Sequence, residues 1–247
     1  MPEIIILIGV FLIGVIASIL GSLVGGGSLL LIPFLIFIGL PPHVAIATDR
    51  FGSLGQTFTA FYKFRKAKKI HWKYVPILAV LSLAGSLIGA NILLNINPKI
   101  LQNIIGVILL LLIPFIFLKR DIGVKNIKQN KYKIAFGLLL YFLVQIFSGF
   151  FGGVGTIIFY ILIITFGFTI IEANATQIIP IFVLFISSLI IFAFKGIINY
   201  WIGAVLMIGM AVGGYIGAHI ALKKGDNWVK GLFALLVVIL SIKLLFF

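Results

Sequence analysis

Long runs of hydrophobic residues recur along the whole chain, and short polar stretches separate them. In the first half the runs cover approximately residues 4–24, 28–40, 43–62, 73–95 and 99–118. In the second half they cover approximately residues 134–151, 156–168, 171–194, 200–222 and 228–246. Most of them approach the about 20 residues that a helix needs to cross a hydrocarbon core of about 30 Å. The pattern predicts an all-α integral membrane protein that crosses the lipid bilayer several times.

The second hydrophobic run of each half is too short to cross the bilayer. A run of about 13 residues is only about 20 Å long as a helix. Each short run follows a cluster of glycines, Gly25-Gly26-Gly27 in the first half and Gly152-Gly153-Val154-Gly155 in the second. The sequence therefore predicts short broken or re-entrant helices after the two glycine-rich motifs.

The two halves resemble each other when one is shifted onto the other by a single constant offset, without a gap. The coinciding pairs include Gly21, Gly25 and Gly27 with Gly149, Gly153 and Gly155; Ala45, Ala47 and Thr48 with Ala173, Ala175 and Thr176; and Gly85 and Gly89 with Gly213 and Gly217. One offset that holds over most of each half indicates an internal repeat. We therefore predict a first repeat of five segments in residues 1–118, a basic linker in 119–133 and a second repeat of five segments in 134–247.

The basic residues are concentrated between the hydrophobic runs. Residues 63–73 and 119–133 each contain six Lys or Arg, and residues 223–227 contain two Lys, which is typical of cytoplasmic loops. The equivalent of 63–73 in the second half, residues 191–201, contains one Lys and reads as external. The charges therefore predict halves of opposite orientation with both termini outside. Such inverted repeats are common in secondary transporters, whose substrate sites lie near the midplane between the repeats.

Composition narrows the possible functions. Hydrophobic residues make up 62% of the chain and charged residues 10%, whereas soluble domains contain about 25% charged residues. The net charge of +14 resides mainly in the loops, so it indicates membrane topology and not nucleic-acid binding. With no cysteine, three histidines and five acidic residues, the chain is predicted to hold no metal and no cofactor. No cluster of residues typical of catalysis stands at one depth, so we do not expect an enzyme.

Polar groups at membrane depth are the candidates for substrate binding. Unwound glycine backbone inside a membrane needs a protein-lined or wet cavity, although close helix packing is another reason for glycines. A helix that begins at Ser28 or Thr156 would direct free N–H groups and its positive dipole end into that cavity, which suits an anion. The predicted substrate contacts are Gly25, Gly26, Gly27, Ser28, Thr48, Arg50, Gly153, Gly155, Thr156, Thr176 and Gln177.

Two threonines and a few charged residues have more than one interpretation. Because Thr48 and Thr176 coincide in the repeat, we predict that they approach a bound anion from opposite sides, although threonine hydroxyls often bond to the carbonyl at i−4. Arg50 suits an oxyanion geometrically, or it forms a local ion pair with its neighbour. The weaker candidates for a coupling proton or sodium ion are Asp49, Glu172 and His219. The last two lie near segment ends, where snorkelling to the headgroups is the alternative.

The repeated motifs resemble those of the sulfite exporter TauE/SafE family of membrane permeases. The resemblance is carried by GSLVGGGSLLLIP and SGFFGGVGTIIF, each followed by a Gly and then by Ala-x-Ala-Thr. It is also carried by the basic stretch that ends in Ile70-His71-Trp72 ahead of a helix with GSLIGA. The resemblance covers essentially the whole chain. It implies transport of sulfite, sulfonates or related sulfur-containing organic anions across a prokaryotic cell membrane.

We therefore expect a secondary transporter of small anions that works by alternating access. The partners are a small anionic substrate and the lipid bilayer, and the sequence does not indicate an oligomeric state. An anion channel and a permease for an unrelated small metabolite are the alternatives. An intramembrane enzyme is the least favoured.

Overall fold

The computed structural model describes residues 2–101, 131–152, 154–225 and 228. Within these ranges the chain forms helices and no strand. The described helices include α1 (Pro2–Val24), α2 (Gly27–Phe37), α3 (Pro42–Lys66), α4 (Val75–Asn95), α5 (Lys131–Phe150), α6 (Gly155–Phe166), α7 (Ile170–Phe194) and α8 (Tyr200–Lys224), and residues 98–101 are also helical. Five of these helices, α1, α4, α5, α7 and α8, are long and apolar enough to cross a membrane. The prediction of a multi-pass, all-helical membrane protein is confirmed.

The helix boundaries follow the repeat found in the sequence. Helices α2 and α6 begin at equivalent positions of the two halves, and α3 and α7 both begin and end at equivalent positions. The predicted segments agree with these helices to within a few residues. The last predicted segment of each half, 99–118 and 228–246, and the linker 119–133 lie largely outside the described residues.

The short helices follow breaks in the backbone. Helix α2 has 11 residues and α6 has 12, which corresponds to about 17 Å of helix. Before α2, Gly25 has a φ of 82°, in the left-handed region where glycine is favoured. After this break α2 runs back along α1, because Gly27 lies against the Ala17 carbonyl and Gly9 lies near the ring of Phe34. The glycine motif therefore ends one helix and reverses the chain direction.

The helices of one half pack mainly against helices of the other half. Helix α1 lies along α8 and α5 lies along α4, while α3 and α7 contact α8 and α4, respectively. Glycines allow this close approach: a Cβ atom on Gly149 would lie 2.6 Å from the Ser86 Cα atom. Two of the core clusters among the described residues therefore combine side chains of both halves, while a third is formed mainly by the second half.

Helices α3 and α7 cross the centre of the molecule in opposite directions. Near the start of α3, Ala45 and Ile46 belong to the same apolar cluster as Phe192, near the end of α7. Near the end of α3, Phe64 belongs to a second cluster with Ile171, at the start of α7. The middle portions of both helices are thereby brought beside the two glycine breaks.

Candidate functional site

A cavity lies where the two glycine breaks meet the middle of α3 and α7. It offers about 60 Å³ to the centre of a water-sized sphere, and one water needs about 10–15 Å³. Its lining includes Gly25, Gly27, Ser28, Ser53, Thr57, Ser148, Gly152, Gly155, Asn174 and Gln177. The tertiary structure thus brings polar groups from both halves to one enclosed place.

The glycines at the cavity pack backbone against backbone. A Cβ atom on Gly25 would lie 2.7 Å from the carbonyl carbon of Gly155, and one on Gly155 would overlap the Gly25 carbonyl oxygen. A Cβ atom on Gly27 would overlap the Ala17 carbonyl oxygen. These three glycines therefore have two roles: they allow close backbone packing, and they line the cavity. A side chain at any of them would separate the helices.

The other residues predicted in the glycine motifs have different surroundings. Gly26 has room for a Cβ atom, whose closest neighbours would be Leu29 at 3.4 Å and the Thr156 hydroxyl at 3.8 Å. Thr156 is buried in the first turn of α6. Ser28 lines the cavity at the start of α2. Gly153 lies outside the described residues.

Asp49 and Arg50 are fully buried and form an ion pair behind the cavity wall, with 3.4 Å between them. The Asp49 carboxylate accepts a hydrogen bond of 2.9 Å from the Ser28 hydroxyl. The Arg50 guanidinium donates to the Ser148 carbonyl, near the end of α5, and lies 5.2 Å from the centre of the Phe185 ring. The carboxylate thus sits at the positive end of α2 and the guanidinium at the negative end of α5, which favours both charges. Neither residue is among the described residues that line the cavity.

Gln177 is one of the polar residues that line the cavity. It occupies the position in the second half that Asp49 occupies in the first. Its Oε1 atom accepts a hydrogen bond of 2.7 Å from the Tyr141 hydroxyl, whereas its Nε2 atom has no partner among the described residues. Because a buried donor without an acceptor is costly, this N–H group indicates a place for an acceptor atom of a ligand.

Thr48 and Thr176 are not among the described residues of the cavity lining. The Thr48 hydroxyl accepts the Asn199 backbone N–H at 3.1 Å, and the Thr176 hydroxyl accepts the His71 backbone N–H at 3.0 Å. Asn199 and His71 are themselves equivalent in the repeat and precede α8 and α4. Each threonine therefore attaches a loop of the opposite half to the helix that carries it.

The remaining coupling candidates also lie away from the cavity. Glu172 forms a capping box with Thr169 at the start of α7, and its carboxylate is 3.5 Å from the His71 ring. His219 is exposed on the surface of α8. Among the described residues, Glu172 therefore has a capping role at a helix start, and His219 lies on the protein surface.

Several polar residues of the cavity wall were not predicted from the sequence. Ser53 follows Asp49 by one helical turn, and Asn174 precedes Gln177 by three residues, so each lies on the same helix face as a predicted residue. Polar residues that repeat at helical spacing within a hydrophobic segment were the signal that would have identified them. Ser148 had no such signal, because only the tertiary structure brings it to the cavity and its carbonyl to the Arg50 guanidinium.

The chain is similar to known membrane transporters along nearly its whole length. The family described as Sulfite exporter TauE/SafE matches residues 10–244. The chain is 25% identical to a probable membrane transporter protein of Haemophilus influenzae, over 96% of this chain and 93% of the relative. It is also 25% identical to the probable membrane transporter protein YfcA of Escherichia coli, over 98% of this chain and 90% of the relative. No solved structure matches it. The chain therefore belongs to the sulfite exporter TauE/SafE family and is a membrane transporter.

Proposed function

We propose that this transporter moves small oxyanions, with sulfite and organic sulfonates as its substrates, and holds them in the cavity between the two halves. The observation that carries the proposal is Gln177, a residue of the cavity lining whose buried Nε2 atom has no hydrogen-bond partner among the described residues. The start of α6 at Gly155 lines the same cavity and adds the positive end of a helix dipole. The name of the family supports sulfite as the substrate to test first.

The two sides of the cavity differ in their suitability for an anion. At the start of α2 the Asp49 carboxylate already occupies the Ser28 hydroxyl and opposes a second negative charge. At the start of α6 the equivalent position holds the neutral amide of Gln177. The substrate therefore binds on the side of α6.

We further propose that the halves form an inverted repeat, that α2 and α6 are re-entrant and that both termini lie outside the cell membrane. The opposite directions of the equivalent helices α3 and α7, the return of α2 along α1 and the basic loop 63–73 support this arrangement. The chain contains no cysteine, so single cysteines can report the topology without background. Ala67→Cys should react only from the cytoplasm and Gly196→Cys only from outside. Reaction of both from one side would require a parallel duplication.

Asp49 is our candidate for the coupling group. It is the buried acid directly behind the cavity hydroxyls of Ser28 and Ser53, and Arg50 is the charged residue that faces it. An anion bound on the α6 side of the cavity would repel the Asp49 carboxylate and favour its protonation, which would link anion and proton movement. Asp49→Asn should abolish uptake driven by a pH gradient and preserve exchange, and the Asp49→Asn/Arg50→Met variant keeps the charge balanced. Uptake that still follows the pH gradient in both variants would eliminate Asp49.

The substrate is tested by counterflow in proteoliposomes that contain sulfite, sulfate, thiosulfate, taurine or sulfoacetate. We expect saturable exchange of sulfite or a sulfonate, and Gln177→Leu should lower the apparent affinity about 10- to 150-fold, the effect of one hydrogen bond to a charged group. Asn91→Leu, which removes an exposed amide on α4, is the matched control. Flux that neither saturates nor exchanges would indicate a channel, and exchange of none of these anions would refute the proposal.

A further inference from the structure

Three buried polar side chains are linked by hydrogen bonds to the amide of Gln177. Tyr141 and Gln145 belong to α5 and Ser82 to α4, and all three are fully buried. The Nε2 atom of Gln145 lies 2.6 Å from both the Tyr141 hydroxyl and the Ser82 hydroxyl. The Tyr141 hydroxyl in turn lies 2.7 Å from the Oε1 atom of Gln177. These four residues form one connected hydrogen-bond network that ends at the cavity.

The network determines the orientation of the Gln177 amide, that is, which position its oxygen and its nitrogen occupy. An amide nitrogen only donates, so the Tyr141 oxygen accepts from Gln145 and its single proton remains for another acceptor. The Ser82 hydroxyl also lies 2.9 Å from the Tyr141 hydroxyl and can donate to it. Gln177 Oε1 then accepts the Tyr141 proton, which leaves Nε2 as the buried amide atom without a partner among the described residues, in a residue that lines the cavity. In this orientation the Oε1 atom of Gln145 has no hydrogen-bond partner among the described residues, and a buried acceptor without a partner is unfavourable. If both amides were reversed, the cavity would instead receive the Oε1 atom of Gln177.

The fold does not require this network. At the equivalent positions of the repeat in the other half stand Ile13 for Tyr141, Ala17 for Gln145 and Met210 for Ser82. The equivalent helix pair, α1 and α8, packs closely without these polar groups. A buried polar cluster at only one of these two equivalent helix pairs is therefore better explained by its effect on Gln177 than by helix association.

We propose that Tyr141, held by Gln145 and Ser82, is a positioning residue that determines substrate selectivity by directing the Nε2 donor of Gln177 into the cavity. The inference rests on the proposed function, since it assumes that the transported ligand is an anion in this cavity. It predicts a preference for ligands with free acceptor oxygens, such as sulfite. It also assigns a role in binding to a tyrosine that does not itself line the cavity among the described residues.

The test is a double-mutant cycle on the apparent affinity for sulfite in counterflow. Tyr141→Phe frees the amide to adopt either direction, so the apparent affinity should fall at least about two-fold, the loss expected when half of the molecules are binding-competent. In a Gln177→Leu background no amide remains to be directed, so Tyr141→Phe should have no further effect. Tyr62→Phe makes the same chemical change on an exposed tyrosine of α3 and should leave affinity unchanged.

Each outcome separates the inference from the proposed function. Suppose that the wild type exchanges sulfite. If Tyr141→Phe then lowers the apparent affinity equally in the wild-type and Gln177→Leu backgrounds, or lowers it in neither, the inference is overturned and the proposed function stands. Absence of anion exchange in the wild type would overturn both.

A second variant tests the direction of the amide even if Tyr141→Phe does not fold. Gln177→Glu keeps the shape and an acceptor for the Tyr141 hydroxyl but replaces the donor at the cavity by a second acceptor. We expect it to remain folded, as judged by gel filtration, and to lose sulfite exchange. Sulfite exchange by Gln177→Glu at wild-type affinity would show that Nε2 does not face the ligand.

Discussion

The hydrogen bonds that Thr48 and Thr176 accept from backbone N–H groups predict a structural role for both threonines. Thr176→Val replaces the hydroxyl by a methyl group at nearly constant volume and removes the acceptor of the His71 N–H group. Thr176 is fully buried, and its bond joins α7 of the second half to the loop before α4 of the first half. The substitution should therefore destabilise the contact between the halves and leave substrate binding intact.

The magnitude follows from the group that loses its partner. An orphaned buried N–H group costs about 1–3 kcal/mol. The His71 side chain is 39% exposed, so water can reach part of this loop and the lower limit, about 1 kcal/mol, applies. For a protein of this size such a loss lowers the Tm by about 2–4 °C. Thr48→Val should have a similar effect through Asn199, and the two effects should add because the sites share no partner.

Thermal unfolding of the purified protein in detergent, together with the apparent affinity for sulfite in counterflow, checks this prediction. Thr59→Val is the control, because the Thr59 hydroxyl bonds to the carbonyls of Gly55 and Gln56 in its own helix. A Thr176→Val variant with unchanged Tm and an affinity lowered about 10-fold or more would refute the reasoning, since a hydroxyl that binds the anion produces that result.

Two further substitutions test the packing and the charges behind the cavity wall. Gly25→Ala should sharply reduce the folded yield in detergent, because its Cβ atom would lie 2.7 Å from the Gly155 carbonyl carbon and because the φ of Gly25 is 82°. The control Gly26→Ala should be tolerated, since that position has room for a Cβ atom. Equal folded yields of the two variants would contradict the backbone contact. Asp49→Asn and Arg50→Met should each destabilise the protein by about 3–5 kcal/mol, and the double variant by less than either, since each single change leaves a buried charge unpaired. Additive losses in thermal unfolding would show that the two charges do not compensate each other.

The sequence alone determined the helices and their repetition. A helix at membrane depth satisfies its backbone hydrogen bonds within itself, so its position is encoded by the length of a local hydrophobic run. The short helices were equally predictable, because a glycine cluster before a run of about 13 residues leaves too little helix to cross the bilayer. The predicted segments 43–62 and 171–194 agree with α3 and α7 to within one residue at their starts, whereas α3 continues four residues beyond the predicted end, to Lys66.

The partners of each polar side chain were decided by the tertiary structure. Thr48 and Thr176 had the symmetric spacing expected of a substrate site, yet each hydroxyl lies beside a loop of the other half. A single tyrosine in a hydrophobic helix does not indicate a functional role, so Tyr141 was not predicted. Only the packing of α5 against α4 and α7 brings it to Gln177. Spacing along a helix specifies which face a side chain occupies, whereas the group opposite that face depends on how distant segments pack.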